Sequence, residues 1–92
     1  MIYSVNGEVV HIEQNMIVIE CGGVGYACYS TASAVSLAAV GEKLKLFTHL
    51  NVREDAVELF GFADETELNC FKKLISVSGV GCKMAVSVLS AL

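Results

Sequence analysis

The sequence predicts an α+β protein, with a five-stranded small β-barrel of the OB type over residues 1–63 and a helical segment over residues 64–92. Three observations carry this expectation. Residues 1–62 are built from short apolar or alternating runs punctuated by Asn and Gly, the texture of a small all-β unit. The one interruption, "STASAVSLAAV", falls after the third run, and three strands, a short helix and two strands is the order of a five-stranded OB-type barrel. At Ala63-Asp64 the apolar period changes from that of a strand to that of a helix.

The elements follow in order. "MIYSVNGEVVHIE" reads as one long strand with a bend at Asn6-Gly7, and Asn15 turns the chain into "MIVIEC", the second strand. Gly22-Gly23 makes a tight connection to the third, "VGYACY". "STASAVSLAAV" opens with Ser and Thr and continues in Ala and Leu, which predicts a short helix that Gly41 ends. "EKLKLFTHLNV" sets Leu44, Leu46 and Thr48 against Lys43, Lys45 and Phe47, giving the fourth strand, and "AVELFGF" gives the fifth. A closed barrel also removes the exposed edges that such apolar strands would otherwise offer for aggregation. Asp64 followed by Glu67 resembles a capping box. Leu68, Phe71, Leu74 and Ile75 then recur at helical spacing, with Lys72 and Lys73 on the opposite side. Gly79-Val80-Gly81 breaks that helix and "CKMAVSVLSAL" forms a second one, still apolar at Leu92. This leads to the expectation that the 92 residues belong to a longer chain.

Composition bounds the function. A chain of 92 residues has room for one small core, and 54% apolar residues with no proline make it globular, with apolar surface to spare for self-association. The net charge of −4 argues against indiscriminate attraction to nucleic acid or anionic membrane. Its distribution is uneven. Residues 1–64 carry eight acids and three bases, whereas no acid follows Leu68 and Lys72, Lys73 and Lys83 stand alone there. Two surfaces with different partners are implied. Cys21, Cys28, Cys70 and Cys82 have no paired spacing, and His11 and His49 are isolated, so free buried thiols in a reducing cytoplasm are expected rather than a zinc site. No secretory signal is visible. The uncharged run from Cys21 to Gly41 is broken by glycines and hydroxyl residues and flanked by Glu20 and Glu42, which excludes a membrane span.

Two stretches carry chemistry. In "LISVSGVGCKMAVSVL", Gly79 and Gly81 permit a tight hairpin with no side chain over it. The N–H groups of Gly81, Cys82 and Lys83 open a helix N-terminus that can hold a phosphate oxygen, and Lys83 adds a positive charge. Val80 plugs the space between the helices and Ala85 lets them approach. This is the pattern of a helix-hairpin-helix, a motif that grips the DNA backbone without reading bases. An ordinary glycine turn between two core helices is the alternative. It lacks the length and context of a dinucleotide fingerprint.

The second stretch is "THLNVREDAVELFGF", where Arg53-Glu54-Asp55 concentrates charge at a strand hairpin of a chain that is only 17% charged. A solvated turn accounts for it simply. A metal-dependent nuclease would use Glu54 and Asp55 as a carboxylate pair, but it needs further convergent acids, and only Glu58 is near in sequence. A third reading is electrostatic: a negative projection beside a DNA surface repels phosphates and steers the strands.

Four blocks, "MIYSVNGEVV", "VIECGGVGYACY", "FTHLNVREDAVELFGF" and "FKKLISVSGVGCKMAVSVLSAL", in this order and spacing, resemble the N-terminal part of the RuvA family, the Holliday-junction-binding subunits of the bacterial branch-migration machine. The resemblance covers nearly the whole chain. It implies a non-enzymatic scaffold without cofactor or metal that binds four-way DNA junctions as a homotetramer in recombination and repair of DNA damage. Further partners implied are an ATPase motor, docked through a C-terminal domain that follows this region, and a junction resolvase, all in the bacterial cytoplasm. Glu54 and Asp55 would be the acidic pin at the junction crossover, with Arg53 as its flanking base. Gly79, Val80, Gly81, Cys82 and Lys83 would hold the DNA backbone. The family commonly has proline where Cys82 stands, a residue suited to a first helical turn, so this hairpin is expected to be slightly looser. No P-loop is present, so no ATP chemistry is expected of the chain itself. Besides the junction scaffold, a generic OB-type interaction module with a structural glycine turn stays open, as does the nuclease reading.

Overall fold

In a computed structural model describing all 92 residues, five strands close into a barrel and two of three helices pack on its outside. The strands are β1 (Ser4–Glu13), β2 (Met16–Cys21), β3 (Val24–Ser30), β4 (Lys43–Val52) and β5 (Val57–Phe62), and they follow the order β1-β2-β3-β5-β4 around the barrel. The helices are α1 (Ala32–Leu37), α2 (Glu65–Ile75) and α3 (Cys82–Ser90). The expected strand–strand–strand–helix–strand–strand order is therefore found, and the barrel is of the OB kind.

β1 serves both halves of the barrel. Ser4 to Glu8 pair antiparallel with β4, while Glu8 to Glu13 pair with β2. A strand does this by bending, and the bend was expected at Asn6-Gly7, where β1 begins to pass from β4 to β2 and a Cβ on Gly7 would overlap Glu20 O. The ladder also shifts register between Val9 and His11, leaving Val10 as a bulge. The bulge frees Val9 to bond the loop before β4: its N–H donates to Glu42 O at 2.9 Å and its carbonyl accepts from Gly41 N at 2.8 Å. Gly41 itself does not end α1, which stops at Leu37 with Ala38 already extended. Gly41, at φ 93°, makes the turn into β4.

Closure is the parallel pairing of β3 with β5, Cys28 to Leu59 and Ser30 to Gly61. Gly61 makes this seam possible. A Cβ there would sit 2.8 Å from Leu46 Cδ1 and 3.0 Å from Cys28 Cβ, inside contact distance, so any side chain would push the seam apart.

Strand alternation then divides the apolar residues between two cores. Val5, Val9, Ile17, Ile19, Cys28, Leu46 and Leu59 fill the barrel. Phe60 and Phe62 lie on the opposite face of β5 from Leu59 and meet Leu68 and Phe71 of α2 and Ala85 and Val86 of α3 in a second core outside the barrel. Phe71 is its centre, with ring centroids 4.7 Å from Phe62, 5.5 Å from Phe60 and 5.3 Å from His49. Such offset aromatic contacts add to the stabilisation from burial alone. They hold α2, and through it α3, on a fixed face of the barrel.

The helix caps differ from expectation in one respect. Asp64 caps α2 by accepting from Glu67 N at 2.8 Å, but Glu67 does not complete a capping box. Its carboxylate accepts instead from Thr31 Oγ1 and Ser33 Oγ, both at 2.9 Å. Two hydroxyl donors satisfy both oxygens, and the start of α1 is thereby tied to the first turn of α2. Ser90 makes a second tie by accepting from Ala32 N at 3.0 Å.

The four thiols are free, but only Cys28 is buried. Cys21 and Cys82 are half-buried and Cys70 is exposed on the polar side of α2, so the expectation of buried thiols holds for one of four. Burial in the barrel, aided by the neighbouring Cys21, pushes the Cys28 thiol up to about 12. Since the thiolate is the reacting form, titration of the folded chain with a thiol reagent at pH 8 should modify Cys70 rapidly and leave Cys28 unreacted until the protein unfolds. Early loss of Cys28 would contradict the barrel core.

Candidate functional site

The link between α2 and α3 is a short, hydrogen-bonded hairpin. Val77 N donates to Leu74 O at 3.1 Å and Val80 N donates to Val77 O at 3.1 Å. Gly79 has φ 87°, a conformation costly for any residue with a Cβ. Gly81 is different: it is the N-cap of α3 with ordinary φ −86° and ψ 171°, so the backbone does not require glycine there. A Cβ at Gly81 would meet nothing within 4 Å, so packing does not require glycine there either. Val80 packs against the second core and Ala85 is fully buried, the plug and the close contact expected between the helices.

The N–H groups of Gly81, Cys82 and Lys83 donate to no acceptor in the chain, and no side chain caps α3. They are the orphan donors of a helix start, adding a partial positive charge at its end. Cys82 stands at the first helical position without displacing the helix start. Unlike a proline it keeps its N–H, which stands among the donors at the helix start. Its thiol is pushed up mainly by burial, then by the Glu58 carboxylate, with Arg53 acting in the opposite sense.

The acidic stretch lies at the β4–β5 turn. Arg53 N donates to Ala56 O at 2.8 Å and Ala56 N to Arg53 O at 3.4 Å, leaving Glu54 and Asp55 as the two tip residues, both exposed. Neither makes a salt bridge. Arg53, the flanking base, makes no ion pair with either of them. Its guanidinium turns back to Glu58 Oε1 at 3.4 Å. The tip is therefore a doubly negative projection without a compensating charge.

Glu58 was weighed in the sequence only as a third metal ligand. Its side chain is 12% exposed, and its second oxygen meets Lys83 Nζ at 3.3 Å. No group of three or more His, Cys, Asp or Glu side chains is placed to hold a metal ion. Lys83 also lies 5.1 Å from the centroid of the Tyr29 ring. The structure thus brings the two candidate stretches together through Arg53, Glu58 and Lys83. The spacing of Glu58 two residues before Phe60 and four before Phe62 was the signal that it shares their outward face of β5.

Barrel, strand-hairpin tip and helical hairpin together define a small OB-type barrel bearing a two-helix module with an open helix N-terminus. Comparison with known proteins makes the class specific. The model of the RuvA N-terminal domain matches residues 1–61, and the chain belongs to that family. Along its whole length the chain is 43% identical to the Holliday junction branch migration complex subunit RuvA of Acetivibrio thermocellus and 44% identical to that of Dehalococcoides mccartyi. It is 46% identical over 98% of its length to the counterpart from Pseudarthrobacter chlorophenolicus. These matches cover 46%, 48% and 42% of the respective relatives, so the chain spans about half the length of the curated relatives it matches. No helix is long and apolar enough to cross a membrane.

Proposed function

We propose that this chain is the junction-binding part of a non-enzymatic DNA scaffold that recognises four-way junctions and supports branch migration by a separate ATPase motor in recombination and repair. The observation that carries the reading is the unobstructed N-terminus of α3, with the unpaired backbone N–H groups of Gly81, Cys82 and Lys83, linked through Glu58 and Arg53 to a turn whose two tip carboxylates make no ion pair. The first feature suits a phosphodiester, since N–H groups and a helix end attract negative charge without regard to base sequence. The second repels phosphates and so favours a DNA structure whose strands diverge at that point. A chain of net charge −4 can bind DNA in this way because the two signs are separated in space.

Residues 1–63 would supply the barrel and the acidic pin, and residues 64–92 the backbone grip at Gly79, Val80, Gly81, Cys82 and Lys83. The names of the relatives, subunits of a Holliday junction branch migration complex, support the junction as substrate and a motor as partner. We place the chain in a cytoplasmic homotetramer, so that four pins meet at one crossover, with a junction resolvase as a further partner. No metal or cofactor takes part. The nuclease alternative is disfavoured by Glu58, whose carboxylate is engaged by Arg53 and Lys83 rather than open to a cation.

Phosphate contact releases counterions, so binding should weaken steeply with salt. Lys83→Ala should weaken junction and duplex binding alike and lower the slope of log affinity against log salt by about one. Fluorescence anisotropy across a salt series reads both. A Lys83→Ala effect confined to one substrate, or an unchanged slope, would remove Lys83 from the backbone contacts.

A further inference from the structure

Glu58 is the residue on this surface that the junction-binding account leaves without a task. It lies opposite Asn51 in the β4–β5 ladder, on the face of β5 that carries Phe60 and Phe62 towards the helices. A carboxylate at the border of an aromatic core is costly unless paired. It has two partners, Arg53 at 3.4 Å and Lys83 at 3.3 Å, one from the strand hairpin and one from the helical hairpin. The partners' own side chains remain 55% and 65% exposed, so solvent or a ligand reaches both. Lys83 is also held by the Tyr29 ring, which turns its ammonium towards the barrel.

We propose that Glu58 is a built-in counter-anion for the DNA site, a positioning residue that holds Lys83 and Arg53 in the free protein and is exchanged for a backbone phosphate when DNA binds. The inference rests on the proposed function and deepens it by naming what regulates the strength of that site. One carboxylate shared by two cations cancels one of their two positive charges and holds both near β5. With each cation more than half exposed, the bridges exchange readily. A phosphodiester bound at the α3 N-terminus offers Lys83 an equivalent anion. The exchange therefore sets a threshold: an isolated phosphate competes poorly with Glu58, whereas a DNA molecule engaging several subunits at once displaces it at each. Glu58 thus limits affinity for all DNA, in contrast to Glu54 and Asp55, which discriminate between structures.

The test is the Glu58→Gln variant, alone and with Lys83→Ala, measured by anisotropy against a four-way junction and a linear duplex across a salt series. Glu58→Gln keeps shape and hydrogen-bonding capacity while removing the charge. It should tighten both substrates by about three- to ten-fold, since a phosphate no longer has to displace a carboxylate from Lys83, and leave the junction-to-duplex ratio unchanged. Lys83→Ala should cost a larger factor in the Glu58→Gln background than in the wild type. This coupling separates exchange at Lys83 from a general loss of negative charge, which would give additive effects. Additive effects, or weakened binding by a variant with wild-type thermal stability, would overturn the inference and leave the DNA-binding role intact. If the wild-type chain holds neither DNA, the proposed function falls and this inference falls with it.

Discussion

Replacing Glu54 and Asp55 together by Gln and Asn is expected to tighten binding to both linear duplex and four-way junction, and to tighten duplex binding more. The tip carries two unpaired, exposed carboxylates per chain, because Arg53 is committed to Glu58. In the proposed four-fold assembly these charges would converge where the arms separate. Continuous duplex crossing the centre would lie against the charges, whereas a junction places its open crossover there, so neutralisation relieves duplex more. Like-charge repulsion of this kind decays over about 8–10 Å at ordinary salt, so the effect should be largest at low ionic strength. Thermal stability should hardly change, since neither side chain makes a contact whose loss destabilises the fold. A junction-to-duplex ratio that stays fixed, or a junction affinity that falls, would reduce Glu54 and Asp55 to a polar turn.

Phe71→Ala is expected to have the largest effect on folding. The side chain is fully buried and contacts rings from β4, β5 and, through the shared core, α3. Truncations of this type cost about 3–5 kcal/mol, against a total of about 5–15 kcal/mol for an ordinary domain. For a chain of this size each kcal/mol corresponds to about 4–8 °C in Tm, so a loss of roughly 12–40 °C follows. Chemical denaturation followed by far-ultraviolet circular dichroism measures it. A cost below about 1 kcal/mol would mean that Phe71 is not what docks the helices. Binding to DNA should be lost together with helix docking, since the α3 N-terminus is fixed only by that core.

Much of this was legible in the sequence because it depends on local patterns. Alternation in "KLKLFTHLNV", the Gly22-Gly23 turn and the period change at Asp64 each specify an element without reference to the rest of the chain. What escaped depends on partners distant in sequence. The bulge at Val10 answers to the loop at Gly41-Glu42, not to the Asn6-Gly7 dipeptide. Glu67 leaves the capping box because Thr31 and Ser33 bring two donors across from α1. The same holds in the site. Gly79, Val80 and Ala85 do what their spacing suggested, but the pairing of Arg53 and Lys83 with Glu58 needs the register of β5 against the helices. No linear spacing reveals it. Gly81 was expected to be needed for the hairpin backbone, yet its φ and ψ are ordinary and a Cβ there would meet open space.

The central claim, that this surface selects a branched DNA structure through an open helix end and an acidic tip, is tested most directly by a competition between four-way junction and linear duplex of equal total length for the wild-type chain at one fixed salt concentration. The account predicts that the junction displaces the duplex and is not displaced by an equal concentration of it. Equal competition by the two DNAs, in protein that binds both, would contradict it.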